Sequence, residues 1–110
     1  MNTITKGLGA LAVAATLLSA KPSSASSAFC YSELWISCTT LEIPANASGH
    51  FVYIKISPYT SYRVRDSANH VVVSAGDIGG WIHSEVVWGL YAWYELTISG
   101  AASTGYINNT

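Results

Sequence analysis

The sequence predicts an all-β fold, a small antiparallel β-sandwich or small barrel of about seven or eight short strands with one disulfide. Three observations carry that expectation. Apolar residues recur at every second position, the period of a strand, and no stretch holds the helical i, i+3, i+4, i+7 spacing. Turn-forming residues interrupt the alternation at short intervals. The two cysteines, Cys30 and Cys38, lie close together in the β-rich part of the chain.

The front end has a different character. Lys6 is followed by an apolar, small-residue run over 7–20, then by Lys21, Pro22 and a Ser/Ala-rich stretch. That is the order of a secretory leader: basic, apolar, then small side chains at the cut. Small residues three and one before the cleavage point place it after Ala25 or Ala28. Residues 1–25 are therefore expected to be a signal peptide, and 26–110 a single β domain. The apolar run is shorter than the roughly 20 residues a bilayer span requires, and Pro22 interrupts it. Phe29 before Cys30 does not suit lipidation. The protein is expected to be secreted, with no membrane partner once the leader is removed. In an oxidising compartment Cys30 and Cys38 are expected to pair.

Strands are expected near 31–37, 40–44, 50–57, 61–66, 70–75, 81–87, 91–99 and 104–108. Val52, Ile54 and Ile56 oppose Phe51, Tyr53 and Lys55. Tyr62 and Val64 alternate with Arg63 and Arg65. Tyr94, Leu96 and Ile98 alternate with Tyr91, Trp93, Glu95 and Thr97. Breaks fall at 44–49, 57–58, 66–69, 76–80, 88–89 and 99–103, and 66–69 (DSAN) reads as a hairpin turn. Trp35, Tyr62, Trp81 and Tyr94 are candidates for the core.

The stretch YRVRDSANHVVVSAG, followed by GLYAWYELTISG, resembles the closing strands of extracellular immunoglobulin-like modules. There a hairpin of the form V-x-D-x-x-x-x-V-V-x-x-G precedes a G-x-Y-x-L-x-I strand. The whole chain is also similar to small exported proteins of filamentous soil bacteria. The resemblance covers about 40 residues and implies a fold; it carries no catalytic residue.

Charge narrows the partners. From residue 26 onward three Lys or Arg face six Asp or Glu, with no basic block, so nucleic acid is not expected as a partner. No Gly-x-Ser-x-Gly elbow is present. In His83-Ser84-Glu85 the serine points away from its neighbours on a strand, so no enzyme is expected. His50, His70 and His83 lack the close spacing of zinc ligands, and no cofactor or metal is expected.

The aromatic residues are more informative. Four tryptophans and seven tyrosines exceed what one small core needs, and strand parity turns several outward. Tyr91, Trp93, Phe51, Tyr53, Arg63 and Arg65 form the expected binding face, for polysaccharide or an extracellular protein. Two alternatives are a secreted inhibitor using the loop 32–37 (SELWIS) with Trp35 as anchor, and a cell-surface structural protein. Two sequons, at Asn46 and Asn108, mark surface loops.

Overall fold

The alternation in the sequence becomes alternation across two sheets. A computed structural model describes residues 26–110, and the expected leader lies outside them. The described residues form β1 (Ser27–Glu33), β2 (Cys38–Thr39), β3 (Ile43–Pro44), β4 (Phe51–Ile56), β5 (Ser61–Asp66), β6 (Val72–Asp77), β7 (His83–Trp88), β8 (Trp93–Ser99) and β9 (Ala102–Asn108), with no helix. One sheet has the order β1-β9-β4-β7. The second has the order β2-β8-β5-β6, with β3 also paired to β8. Every pairing is antiparallel. The fold is an all-β sandwich.

Between the sheets lie Val52, Ile54, Ile56, Val64, Leu96, Ile98 and Ile107, all fully excluded from solvent. Tyr62 and Tyr94 join them, as their parity requires. Branched aliphatics of this kind stiffen a strand and contribute about 1.5–3 kcal/mol each when buried.

The inward side chains of β1 are small by contrast (Ala28, Cys30 and Ser32), as are Ser103 and Gly105 of β9, where Ile107 alone is large. Gly105 marks the closest approach. A Cβ there would stand 2.7 Å from Ile98 Cγ2 and 3.0 Å from Leu96 Cδ2.

The disulfide joins the two sheets. Cys30 belongs to β1 and Cys38 to β2, with their Cα atoms 6.0 Å apart. Closing so short a ring contributes roughly 2.5 kcal/mol by loop entropy. Just before β1, Ser26 is tied to Asn109. Ser26 N–H donates to Asn109 Oδ1 at 2.7 Å, and Asn109 N–H donates to Ser26 O at 3.1 Å.

Several expected elements shift. The strand placed at 31–37 instead runs over Ser27–Glu33 and ends in a turn, because the chain must cross from one sheet to the other. Leu34 and Trp35 take φ of 55° and 65° in that turn, a left-handed conformation that costs non-glycine residues about 1–2 kcal/mol each. The strand placed at 40–44 becomes two short edge pieces, β2 and β3. Between them the Thr40 hydroxyl, not a backbone carbonyl, accepts the Leu96 N–H at 3.0 Å. Pro44 is tolerated because β3 lies at an edge. The turn at 66–69 forms as expected, with Asp66 Oδ1 accepting from Ala68 N–H at 2.8 Å and Asn69 N–H at 3.2 Å.

Trp35 and Trp81 are not core residues. They are 63% and 59% exposed, because both lie in connections at one end of the sandwich and not within strands.

Two outcomes follow from this packing. Gly105→Ala is expected to lower the unfolding free energy by about 1–3 kcal/mol in urea, since the added methyl meets two side chains that cannot retreat. A Cys30→Ser/Cys38→Ser double variant is expected to lose about 2.5 kcal/mol in the same assay.

Candidate functional site

The six residues expected to share a face are distributed over three places. Phe51 and Tyr53 point outward from the first sheet, while Arg63 and Arg65 point outward from the second. Tyr91 and Trp93 stand at one end. Tyr91 is 76% exposed and stacks on His50 with ring centroids 4.2 Å apart. Together with Trp93, Pro44 and Asn46 these two rings line a depression of about 220 Å³. Strand parity separates inside from outside; it does not say which outside a residue reaches.

On the second sheet the outward groups are mostly polar. Arg65 Nε donates to Glu95 Oε2 at 2.6 Å, so this arginine is engaged within the sheet. Arg63 borders a shallow groove of about 440 Å³ whose walls include Ser37, Ser61, Asp77, Thr97 and Ser99. Ser61 Oγ donates to Asp77 Oδ1 at 2.7 Å, and the Thr39 and Thr97 hydroxyls meet at 2.8 Å.

The first sheet gathers the aromatic surface. Phe29 and Tyr31 of β1, Tyr106 of β9, Phe51 and Tyr53 of β4 and Trp88 of β7 all turn outward. The register arranges them as a diagonal. Phe29 lies opposite Tyr106, Tyr53 is two residues further along on the next strand, and Phe51 lies opposite Trp88. The last pair is in ring contact, with centroids 5.1 Å apart and planes at 54°. Tyr31 extends the line at the other corner. From strand spacing and rise the diagonal spans on the order of 25 Å.

Phe29 and Trp88 are 63% and 65% exposed, so the rings are open to a ligand. Polar neighbours flank them. Lys55 lies opposite both Tyr106 and Ser84, Asn108 lies beside Tyr53, and Tyr53 Oη donates to Ser84 Oγ at 3.3 Å.

Phe29, Tyr31, Tyr106 and Trp88 were not among the expected site residues. In β1 the sequence places large side chains at Phe29 and Tyr31 and small ones at Ala28, Cys30 and Ser32. Hydropathy alone turns the large ones inward. The signal that reverses the phase is Cys30, which must face the other sheet to reach Cys38.

A second cluster closes the side of the sandwich between β6 and β7. His83 and Glu85 share the inward side of β7, as their spacing requires, and Ser84 points away. Tyr62 Oη donates to Glu85 Oε1 at 2.9 Å, and Ser74 Oγ lies 3.0 Å from Glu85 Oε2. His83 Nε2 stands 3.1 Å from Glu85 Oε1 and 3.3 Å from Tyr62 Oη. The serine is bonded to the carboxylate and not to the imidazole.

Burial alone pushes the Glu85 carboxyl up. Hydrogen bonds from His83, Tyr62 and Ser74, with the His83 charge, outweigh it and hold the carboxyl below its ordinary range. Burial raises the Tyr62 phenol; the Ser74 hydrogen bond opposes this, and Glu85 adds to the rise.

The lowered carboxyl fixes the direction of a pH effect. The stabilisation by Glu85 is present above its unfolded-state pKa and is lost as pH falls through the folded one. Glu85→Gln is therefore expected to be less stable than the native protein near pH 7, with the gap closing as pH falls below the ordinary carboxylate range. Urea titrations of both proteins across that range are the check.

Comparison of the chain with protein-family models, with curated proteins and with solved structures finds no match.

Proposed function

We propose that this chain is an exported, non-catalytic binding domain that holds a polysaccharide against the outer face of its first sheet. The observation that supports this best is the diagonal of Tyr31, Phe29, Tyr106, Tyr53, Phe51 and Trp88. A sugar ring has an apolar face of C–H groups and a rim of hydroxyls. Flat aromatic rings suit the first, and their spacing along a line suits successive residues of an extended polymer. The hydroxyl rim has its own partners in Lys55, Ser84, Thr104 and Asn108, which border the rings on the same face.

The rigidity of the platform is part of the reading. Its side chains project from paired strands, so little ordering entropy is lost on binding. Export is supported by the leader-like residues 1–25 and by the disulfide, which persists in an oxidising compartment. Among the described residues no helix is long and apolar enough to cross a membrane.

The test is retention on insoluble polysaccharides and cell-wall fractions. Native protein is expected to be retained. A Phe29→Ala/Tyr53→Ala/Trp88→Ala variant with unchanged circular dichroism is expected to lose about tenfold or more in affinity. Tyr91→Ala/Trp93→Ala, which alters the end depression and leaves the platform intact, is expected to bind like the native protein. Retention of the triple variant at native strength is the result that rejects the platform.

A further inference from the structure

Four connections meet at the end of the sandwich away from Ser26 and Asn109: 34–37, 57–60, 78–82 and 100–101. Leu34 N–H donates to Ala101 O at 2.8 Å and Trp35 N–H to Gly100 O at 2.9 Å. Tyr59 N–H donates to Gly79 O and Ile78 N–H to Thr60 O, both at 2.8 Å. A Cβ on Gly100 would lie 3.2 Å from Tyr59 O, so the two pairs of connections adjoin.

This end carries Leu34, Trp35, Ile36, Tyr59, Trp81 and Ile82, each well over half exposed. None of the four connections contains Asp, Glu, Lys, Arg or His. Several backbone polar groups there are paired internally. Besides the four amides above, Ile36 N–H donates to Glu33 O at 3.1 Å. The Trp35 carbonyl accepts from Ser99 Oγ at 3.2 Å, and the Ile36 carbonyl from Ser32 Oγ at 2.5 Å.

The apolar side chains are also held there at a conformational cost. Five non-glycine residues among those described have left-handed φ, and three of them are Leu34, Trp35 and Tyr59. A two-residue turn with both φ positive is ordinarily built from Asn-Gly. Here the turn is Leu-Trp, with its side chains in solvent. Strain of this kind persists where the strained residues have a task.

We infer that this pole inserts into the headgroup–acyl boundary of a lipid bilayer. A surface without charge, with several of its amides already paired, is suited to the edge of a phase that offers few hydrogen bonds. Trp and Tyr, apolar bodies with one polar atom, are the side chains that settle at that boundary. A protein partner is ordinarily met with charged and polar groups around an apolar centre, and none of these four connections carries a charged side chain. The charge at the edge of the pole selects the lipid. Glu33 and Asp77 border the connections, and Arg63 lines the groove that Ser37 and Asp77 share, so the rim has no excess of Lys or Arg to draw anionic headgroups and neutral ones fit. The sequence gives no membrane signal because the six side chains come from three separate segments.

The experiment is flotation of the disulfide-bonded protein with phosphatidylcholine vesicles at low and high salt, with tryptophan emission recorded. Flotation insensitive to salt, with a blue shift of emission, is expected. Leu34→Asn/Trp35→Gly installs the preferred turn residues. It is expected to melt at the same or a higher temperature while binding vesicles about tenfold more weakly. Its retention on polysaccharide is expected to be unchanged, which separates this pole from the platform. The inference is overturned if the native protein does not float, or if the variant floats equally well. Binding confined to anionic vesicles and abolished by salt overturns it too.

Discussion

Seven branched aliphatics that see no water hold the two sheets together, and the surface of the protein follows from how they are distributed. They come from β4, β5, β8 and β9, so the dry layer is thickest under the middle of the sandwich. Toward β1 the interior narrows to Ala28, Cys30, Ser32 and Gly105. A large side chain on β1 has no room inside. Phe29 and Tyr31 are outside because the sheets are close where their strand lies, and Tyr106 is outside because Gly105 and Ile107 take the inward positions of β9. The aromatic platform and the thin part of the core are thus two results of one constraint.

A two-sheet sandwich has two open sides, and this one closes them by different chemistry. On the side of β1 and β2 the closure is covalent, through Cys30 and Cys38. On the side of β6 and β7 it is a hydrogen-bonded group of Tyr62, Ser74, His83 and Glu85. An inward-pointing carboxylate on an edge strand also discourages a further strand from pairing there, because the added strand would have to bury it. Glu85 therefore serves both the closure of the core and the protection of the edge. In a domain this small a covalent closure and a polar one together stand in for a larger apolar interior.

The fold class was legible because period two is a local property. Val52, Ile54 and Ile56, or Tyr94, Leu96 and Ile98, state which side of a strand is buried without reference to any other strand. The turn at 66–69 was equally legible, since Asp66 caps its own backbone wherever the hairpin lies. The candidate site was legible only in kind. Phe51 and Tyr53 were placed outside correctly, yet grouping them with Arg63 and Arg65 required the strand order, which long-range pairing decides. β1 misled for a different reason: its large residues face solvent, against the usual sense of hydropathy. Only the geometric demand of the disulfide on Cys30 could have reversed it. Trp35 and Trp81 belong to connections, where alternation has no meaning.

The pairing of Ser26 with Asn109 bears on how the domain is held. Ser26 and Asn109 lie at the same pole, beside the depression lined by His50, Tyr91 and Trp93. A leash attached at either residue would point the uncharged connections away from its anchor. The same closeness suits insertion of residues 26–110 into a host loop without disturbing either sheet.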